Sequence, residues 1–247
     1  MTYCIGMLLE RGLVFMSDTR TNAGLDNIAT VRKLRTWEVP GERVITLTTA
    51  GNLATTQAVV GLIDERTKAP ESRNPTILDA PSMFQVAKEV GKTLRDVIRE
   101  NVQGRSEASA PAFGATMIIG GQIKGKPPRL FLIYPEGNFI EASTDNSFFQ
   151  IGETKYGKPI LVRAFEPAMS FEMAIKLLLV SFDSTIKSNL SVGLPLDYQT
   201  YTTDTFASGR SGRIMGDEPY YRSVSDGWGE ALKTAFAKLP EFTFLDS

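Results

Sequence analysis

Residues 1–20 read MTYCIGMLLERGLVFMSDTR, and this stretch decides the fold. The run at 2–9 is apolar and strand-forming, Glu10-Arg11-Gly12 is a turn, and LVFMS at 13–17 runs back. Two such runs around a polar, glycine-bearing triplet predict a β-hairpin. Closing it carries Asp18 back toward Thr2, so a hydroxyl near the chain start and a carboxylate come together.

Working outward, residues 28–37 read as a further strand, and the turn Pro40-Gly41-Glu42 leads into another at 43–49. Ala50-Gly51-Asn52 then opens a helix over about 52–67, with Asn52 as its N-cap. Residues 68–81 are polar and proline-bearing, hence a loop. Ser82 and Gln85 have capping-box spacing, and Met83, Ala87, Val90, Leu94 and Val97 recur at helical intervals, predicting an amphipathic helix over 82–102. A loop at 103–112 precedes strands at about 114–123, 129–134, 138–142 and 148–151. Helices follow at 154–163 and from Ser170, where Phe171, Ala174, Leu178 and Phe182 form a stripe. Strands near 197–206 and 212–216 come next, then a helix at 222–238 with Trp228, Leu232 and Phe236 on one face.

Strands and helices thus come in runs, which points to α+β rather than regular βαβ alternation. Two stacked antiparallel sheets between helix layers would cover every apolar face. No internal repeat, low-complexity segment or long linker divides residues 1–247, so a single domain is expected.

Composition narrows the chemistry. The net charge is −1 and the basic residues are scattered, so neither a nucleic-acid stripe nor a polybasic membrane anchor is expected. No apolar run has the length of a bilayer span, and the start does not read as a signal peptide, so a cytoplasmic protein is the simplest expectation. Cys4 is the single cysteine, which excludes an intramolecular disulfide framework. Histidine is absent altogether. That removes Ser-His-Asp and Cys-His hydrolase designs and His-based zinc sites. A hydrolase built from this chain needs a carboxylate, lysine, tyrosine or amino terminus as its base.

Thr2 meets that need. Methionine aminopeptidases remove Met1 before a small residue, which would expose a threonine amine of pKa about 7.7–8.0. Such an amine lies within reach of its own hydroxyl, so one residue supplies nucleophile and base. Met-Thr alone is a common beginning of no consequence. Asp18 also reads as a turn cap, Arg20 as its surface partner, Lys33 as part of a solvated strand face and Gly51 as a helix-entry glycine. Cys4 faces the same side as Thr2 and reads as a small buried residue.

Taken jointly, Thr2, Asp18-Thr19-Arg20, Lys33 and Ala50-Gly51 before a helix resemble the proteasome β-subunit family of N-terminal-nucleophile hydrolases. Met-Thr-Tyr-Cys, Thr-Asn-Ala-Gly-Leu-Asp-Asn at 21–27 and Asn189-Leu190-Ser191-Val192-Gly193 resemble its bacterial branch, the ancestral β subunit. The resemblance implies a four-layer αββα sandwich and a threonine peptidase. Lys33 would lower the pKa of the Thr2 hydroxyl. Asp18 would orient Lys33, Arg20 would support that carboxylate, and the Gly51 N–H would form the oxyanion hole.

The resemblance departs from the family's pattern twice. Glu153 follows Gly152 where relatives carry serine. In Ser188-Asn189-Leu190-Ser191, Ser191 matches the family's serine and Ser188 stands for its aspartate. These positions tune the N-terminal amine, and Glu153 is a candidate acceptor for it. The resemblance further implies a homo-oligomeric ring or helical staircase, peptide or unfolded-protein substrates, and neither metal nor other cofactor. Loops 68–81 and 103–112 would be gates or subunit contacts. An unfoldase partner is not legible. A non-catalytic assembly subunit and an amidohydrolase acting on a small amide stay open as alternatives.

Overall fold

The computed structural model describes residues 2–22, 28–69, 76–104 and 111–244. Met1 and parts of both expected gate loops lie outside these. Strand β1 (Tyr3–Leu9) and strand β2 (Gly12–Asp18) pair antiparallel around the expected turn, with Cys4 opposite Ser17. β1 has no polar alternation because both of its faces are covered. Tyr3, Ile5 and Met7 pack toward helices, and Cys4 packs toward a second sheet.

The expected strand at 28–37 is two strands in different sheets. β3 (Arg20–Asn22) pairs with β4 (Ile28–Thr30) in a separate two-stranded hairpin. β5 (Leu34–Val39) pairs with β6 (Arg43–Gly51). Between them the backbone changes partner: Val31 N–H donates to Thr19 O at 2.8 Å, and Thr49 N–H donates to Lys33 O at 3.1 Å. Lys33 therefore sits just before a strand, at the bend. No glycine or proline marks that bend, so tertiary pairing alone breaks the run.

After β6, Asn52 caps α1 (Leu53–Lys68) by accepting the Thr55 N–H at 3.0 Å. Ser82 caps α2 (Met83–Val102) by accepting the Gln85 N–H. Strands β7 (Ala115–Ile123), β8 (Arg129–Ile133) and β9 (Phe139–Glu141) complete one five-stranded sheet in the order β5-β6-β7-β8-β9. β10 (Phe148–Gly152), β11 (Leu196–Thr202) and β12 (Ser211–Ile214) join the other, ordered β10-β1-β2-β11-β12. α3 (Lys158–Ala164), α4 (Phe171–Ser188) and α5 (Pro219–Ala237) complete the described elements.

Three apolar cores separate four layers. The first joins α1 and α2 to the β6–β8 sheet, through Val59, Met83, Val90, Leu94, Leu47 and Met117. A second joins α3 and α4 to β1 and β2. The third lies between the sheets and contains Cys4, Phe15, Leu34, Ala50, Ile118 and Phe149. Each fully buried Leu, Val or Met side chain stabilises the fold by about 1.5–3 kcal/mol. The architecture is the αββα sandwich of the N-terminal-nucleophile hydrolases.

Two expectations need correction. α3 begins at Lys158 rather than 154, because residues 155–157 form a turn and Gly157 packs against the Tyr3 ring and hydroxyl. The stripe on α5 is not core: Leu232 is 50% and Phe236 77% exposed, and Tyr221 is the helix's one buried residue among those described. Its first turns join the core beneath through Tyr221 and Val224. No described helix is long and apolar enough to cross a membrane.

Candidate active site

The sheet ends place the site. β2 finishes at Asp18, which is fully buried. Its Oδ1 accepts the Lys33 Nζ at 2.7 Å and the Tyr3 N–H at 3.1 Å. Lys33, brought inward by the bend before β5, is 6% exposed and also donates to Arg20 O at 2.6 Å. One carboxylate oxygen thus fixes both the ammonium and the peptide group immediately after Thr2. Burial pushes the Asp18 carboxyl above the usual carboxylate range, against the opposing pull of Lys33 and the nearby Gly193 N–H. Its Oδ2 has no hydrogen-bond partner among the described residues.

Thr2 is held from its other side by β10. Glu153 N–H donates to Thr2 O at 2.7 Å. Gly152, at φ +82°, permits this approach, since a Cβ there would stand 1.9 Å from the same oxygen. Thr2 itself stays half-buried.

Gly51 follows from register. On β6, Thr49 N–H bonds toward the β5 side and Asn52 N–H bonds to Gly114 O on the β7 side. Alternation then aims Gly51 N–H toward the β5 side, where the chain at 31–33 has already turned away. The β5–β6 pairing ends at Leu34 opposite Thr48, so no β5 residue stands opposite Gly51. An N–H aimed past the end of β5, beside the opening of α1 and next to the threonine strand, suits a developing oxyanion. Gly51 has φ +115°, and a Cβ would meet Gly114 O at 2.5 Å.

The other expected residues divide. Arg20 does not pair with the Asp18 carboxylate. The chain turns at Thr19, whose hydroxyl donates to Pro195 O, and Arg20 leaves on the separate hairpin. Its guanidinium lies against Gly193 and donates to Leu190 O at 2.9 Å, while its own carbonyl serves Lys33. Ser188 is exposed on the last turn of α4 and bonds back to Ser184 O, away from the site. Ser191 is half-buried, and its N–H donates to Asn189 Oδ1 at 2.9 Å. Glu153, 8% exposed, accepts the Asn189 amide at 3.0 Å.

Asn189 was missed by sequence reasoning, although it stands next to Ser188 in the same motif. One residue of offset at a helix C-terminus decides which of the two faces the site. Cys4 Sγ donates to Thr49 O at 3.5 Å, and burial pushes its thiol far upward, so it is a neutral bridge between β1 and β6. Among the described residues no group of His, Cys, Asp and Glu is arranged to hold a metal ion. Alongside the site, a cavity of about 280 Å³ opens between β5 and α1, with Lys33 and Thr49 in its lining.

The sandwich, with a buried Lys-Asp pair at the threonine end of β1, defines an N-terminal-nucleophile hydrolase of proteasome type. The chain belongs to the proteasome-subunit family, whose profile (Proteasome subunit) matches residues 2–193. It is similar to solved structures of Anbu, the ancestral β subunit. A Gly-1 mutant from Hyphomicrobium sp. strain MC1 shares 52% identity at a TM-score of 0.90, covering 99% of this chain and 100% of that one. Anbu from Yersinia bercovieri shares 45% at 0.91 over 99% and 100%. The Anbu complex of Pseudomonas aeruginosa, solved as a helical assembly, shares 43% at 0.89 over 98% of each chain. No curated protein matches the chain.

Proposed function

We propose that this protein is an N-terminal threonine peptidase that cleaves peptide bonds after removal of Met1. The observation that carries the reading is the buried Asp18 Oδ1 shared by Lys33 Nζ and the Tyr3 N–H. In this reading the neutral Thr2 amine takes the proton of its own hydroxyl, and the oxygen attacks the substrate carbonyl carbon. Lys33 favours the developing alkoxide and Asp18 holds Lys33. The Gly51 N–H receives the carbonyl oxygen as it becomes negative. The ammonium on Thr2 returns the proton to the departing amine, leaving an ester. Water, deprotonated by the same amine, then hydrolyses that ester and restores the hydroxyl.

Glu153 and Asn189 support Thr2 from the β10 side, and Arg20 secures the 190–193 loop beneath Asp18. The substrates in this reading are peptides or unfolded chains. Self-association is supported by the helical assembly of the Pseudomonas relative and by the apolar residues Leu232, Phe236, Leu239, Phe242 and Phe244, each at least half exposed. A cytoplasmic setting goes with the reading, since Met1 removal occurs on nascent chains.

The test is intact mass before and after exposure to a peptide epoxyketone, which closes a ring with an adjacent hydroxyl and free amine. Loss of one methionine plus one adduct, absent in Thr2→Ala, is the expected result. Processed protein that takes no adduct from several peptide variants would overturn the peptidase reading. It would favour a non-catalytic assembly subunit, a reading that draws on Ser188 facing away from the amine.

A further inference from the structure

Tyr3 carries a polar group where packing alone asks for none. Its ring faces the helices with Ile5 and Met7 and lies 4.6 Å from the Phe182 ring, centroid to centroid. Phenylalanine would fill the same space. The phenol is fully buried and needs partners, which come from β10, α4 and the turn before α3. The Gln150 amide on β10 donates to the phenol oxygen. Ser181 Oγ on α4 stands 2.8 Å from that oxygen and donates at 3.2 Å to Gly157 O. A serine hydroxyl has one proton, so its bond to Gly157 O makes the phenol the donor to Ser181. Burial pushes the phenol pKa upward, which keeps that donor proton in place. The bonds therefore run in one direction, from Gln150 through Tyr3 and Ser181 to Gly157. The fit is close: a Cβ on Gly157 would stand 2.2 Å from the phenol oxygen and 2.3 Å from Ser181 Oγ.

This network meets the candidate site through the backbone. Tyr3 N–H donates to Asp18 Oδ1 at 3.1 Å, and Thr2 O accepts the Glu153 N–H at 2.7 Å. The two sides of the Thr2–Tyr3 peptide are thus held by β2 and by the end of β10. In the β1–β10 register Tyr3 stands opposite Gly152, and Ile5 opposite Gln150. Gly152 has no side chain with which to hold β10 against β1 at this level. The phenol reaches diagonally to Gln150 and supplies that hold, just ahead of Glu153.

Resting on the peptidase reading, we infer that Tyr3 is a positioning residue: its phenol, with Gln150 and Ser181, fixes the end of β10 against β1 and so sets the orientation of the Thr2 amine and hydroxyl. Without the phenol hydroxyl the ring keeps its place on Phe182. Gln150 and Ser181 then lose their common partner, and β10 holds the Glu153 N–H less firmly on Thr2 O. Attack depends on alignment more steeply than peptide binding does, so the loss falls on the chemical step.

Tyr3→Phe and Gln150→Leu test this with a peptide epoxyketone, whose saturating adduct rate and half-saturating concentration are read by intact mass. Each variant should lower the saturating rate about tenfold and keep half-saturation within about twofold. The double variant should lose no more than either alone, because the two residues act as a unit. Phe182→Leu, which thins the packing on the ring but keeps the hydroxyl, should lower the melting temperature without this loss of rate. Amide exchange at Glu153 should quicken in Tyr3→Phe whether or not the protein reacts. Unchanged rates in Tyr3→Phe and Gln150→Leu, or an equal loss in Phe182→Leu, would overturn the positioning role. Absence of any adduct from the processed, unsubstituted protein would overturn the peptidase reading instead, and unchanged exchange at Glu153 would overturn the hold on Thr2 independently of it.

Discussion

Asp18→Asn should destabilise this protein far more than its small change of shape suggests. Lys33 and Asp18 are 6% and 0% exposed, and their charged atoms are 2.7 Å apart. At an effective dielectric of about 20 the attraction at that distance is about 6 kcal/mol. Desolvation of both groups cancels much of it in the intact pair. Asparagine removes the attraction and leaves the Lys33 ammonium buried among neutral acceptors, the amide oxygen at 18 and Arg20 O. Breaking a buried pair on one side costs about 3–5 kcal/mol, which in a chain of this length lowers the melting temperature by about 10 °C. Asp18→Asn combined with Lys33→Met removes the orphaned charge, so the double variant should recover most of the loss. Urea unfolding at one protomer concentration measures all four members of the cycle. A single variant costing under about 1 kcal/mol, or a double variant no better than the single, would refute the buried-pair argument.

Other expectations follow from the same geometry. Gly152→Ala should cost about 1–3 kcal/mol through left-handed backbone strain, and more through the clash with Thr2 O; calorimetry reads both. Phe236→Asp should leave the protomer's fold intact while shifting sedimentation toward smaller species, because this side chain is 77% exposed in the single chain.

Much of this architecture is written in local pattern. The hairpin of β1 and β2, the caps Asn52, Ser82 and Ser170, and the apolar stripe of α2 depend on residues within a few positions of one another. Propensity and capping chemistry act over that range, so one sequence suffices to place them. The absence of histidine was equally legible, and it confined any hydrolase reading to an amine, lysine or carboxylate base.

Other features depend on contacts that no local pattern encodes. The break at 31–33 that turns Lys33 inward exists because Thr19 and Thr49 claim the two sides of the bend. The same departure leaves Gly51 without a partner on β5, and strand register is a property of two segments together. Arg20 reads as a neighbour of Asp18 until the turn at Thr19 sends it to Leu190 and Gly193. Asn189, not Ser188, meets Glu153 because the end of α4 fixes which residue faces inward. The exposed face of α5 has the same apolar periodicity as a buried helix, and only the layer beneath it determines that it is left uncovered. The sequence by itself thus determined the elements and the set of chemical groups. The tertiary structure decided which groups meet, because burial and partner choice arise only when distant segments pack.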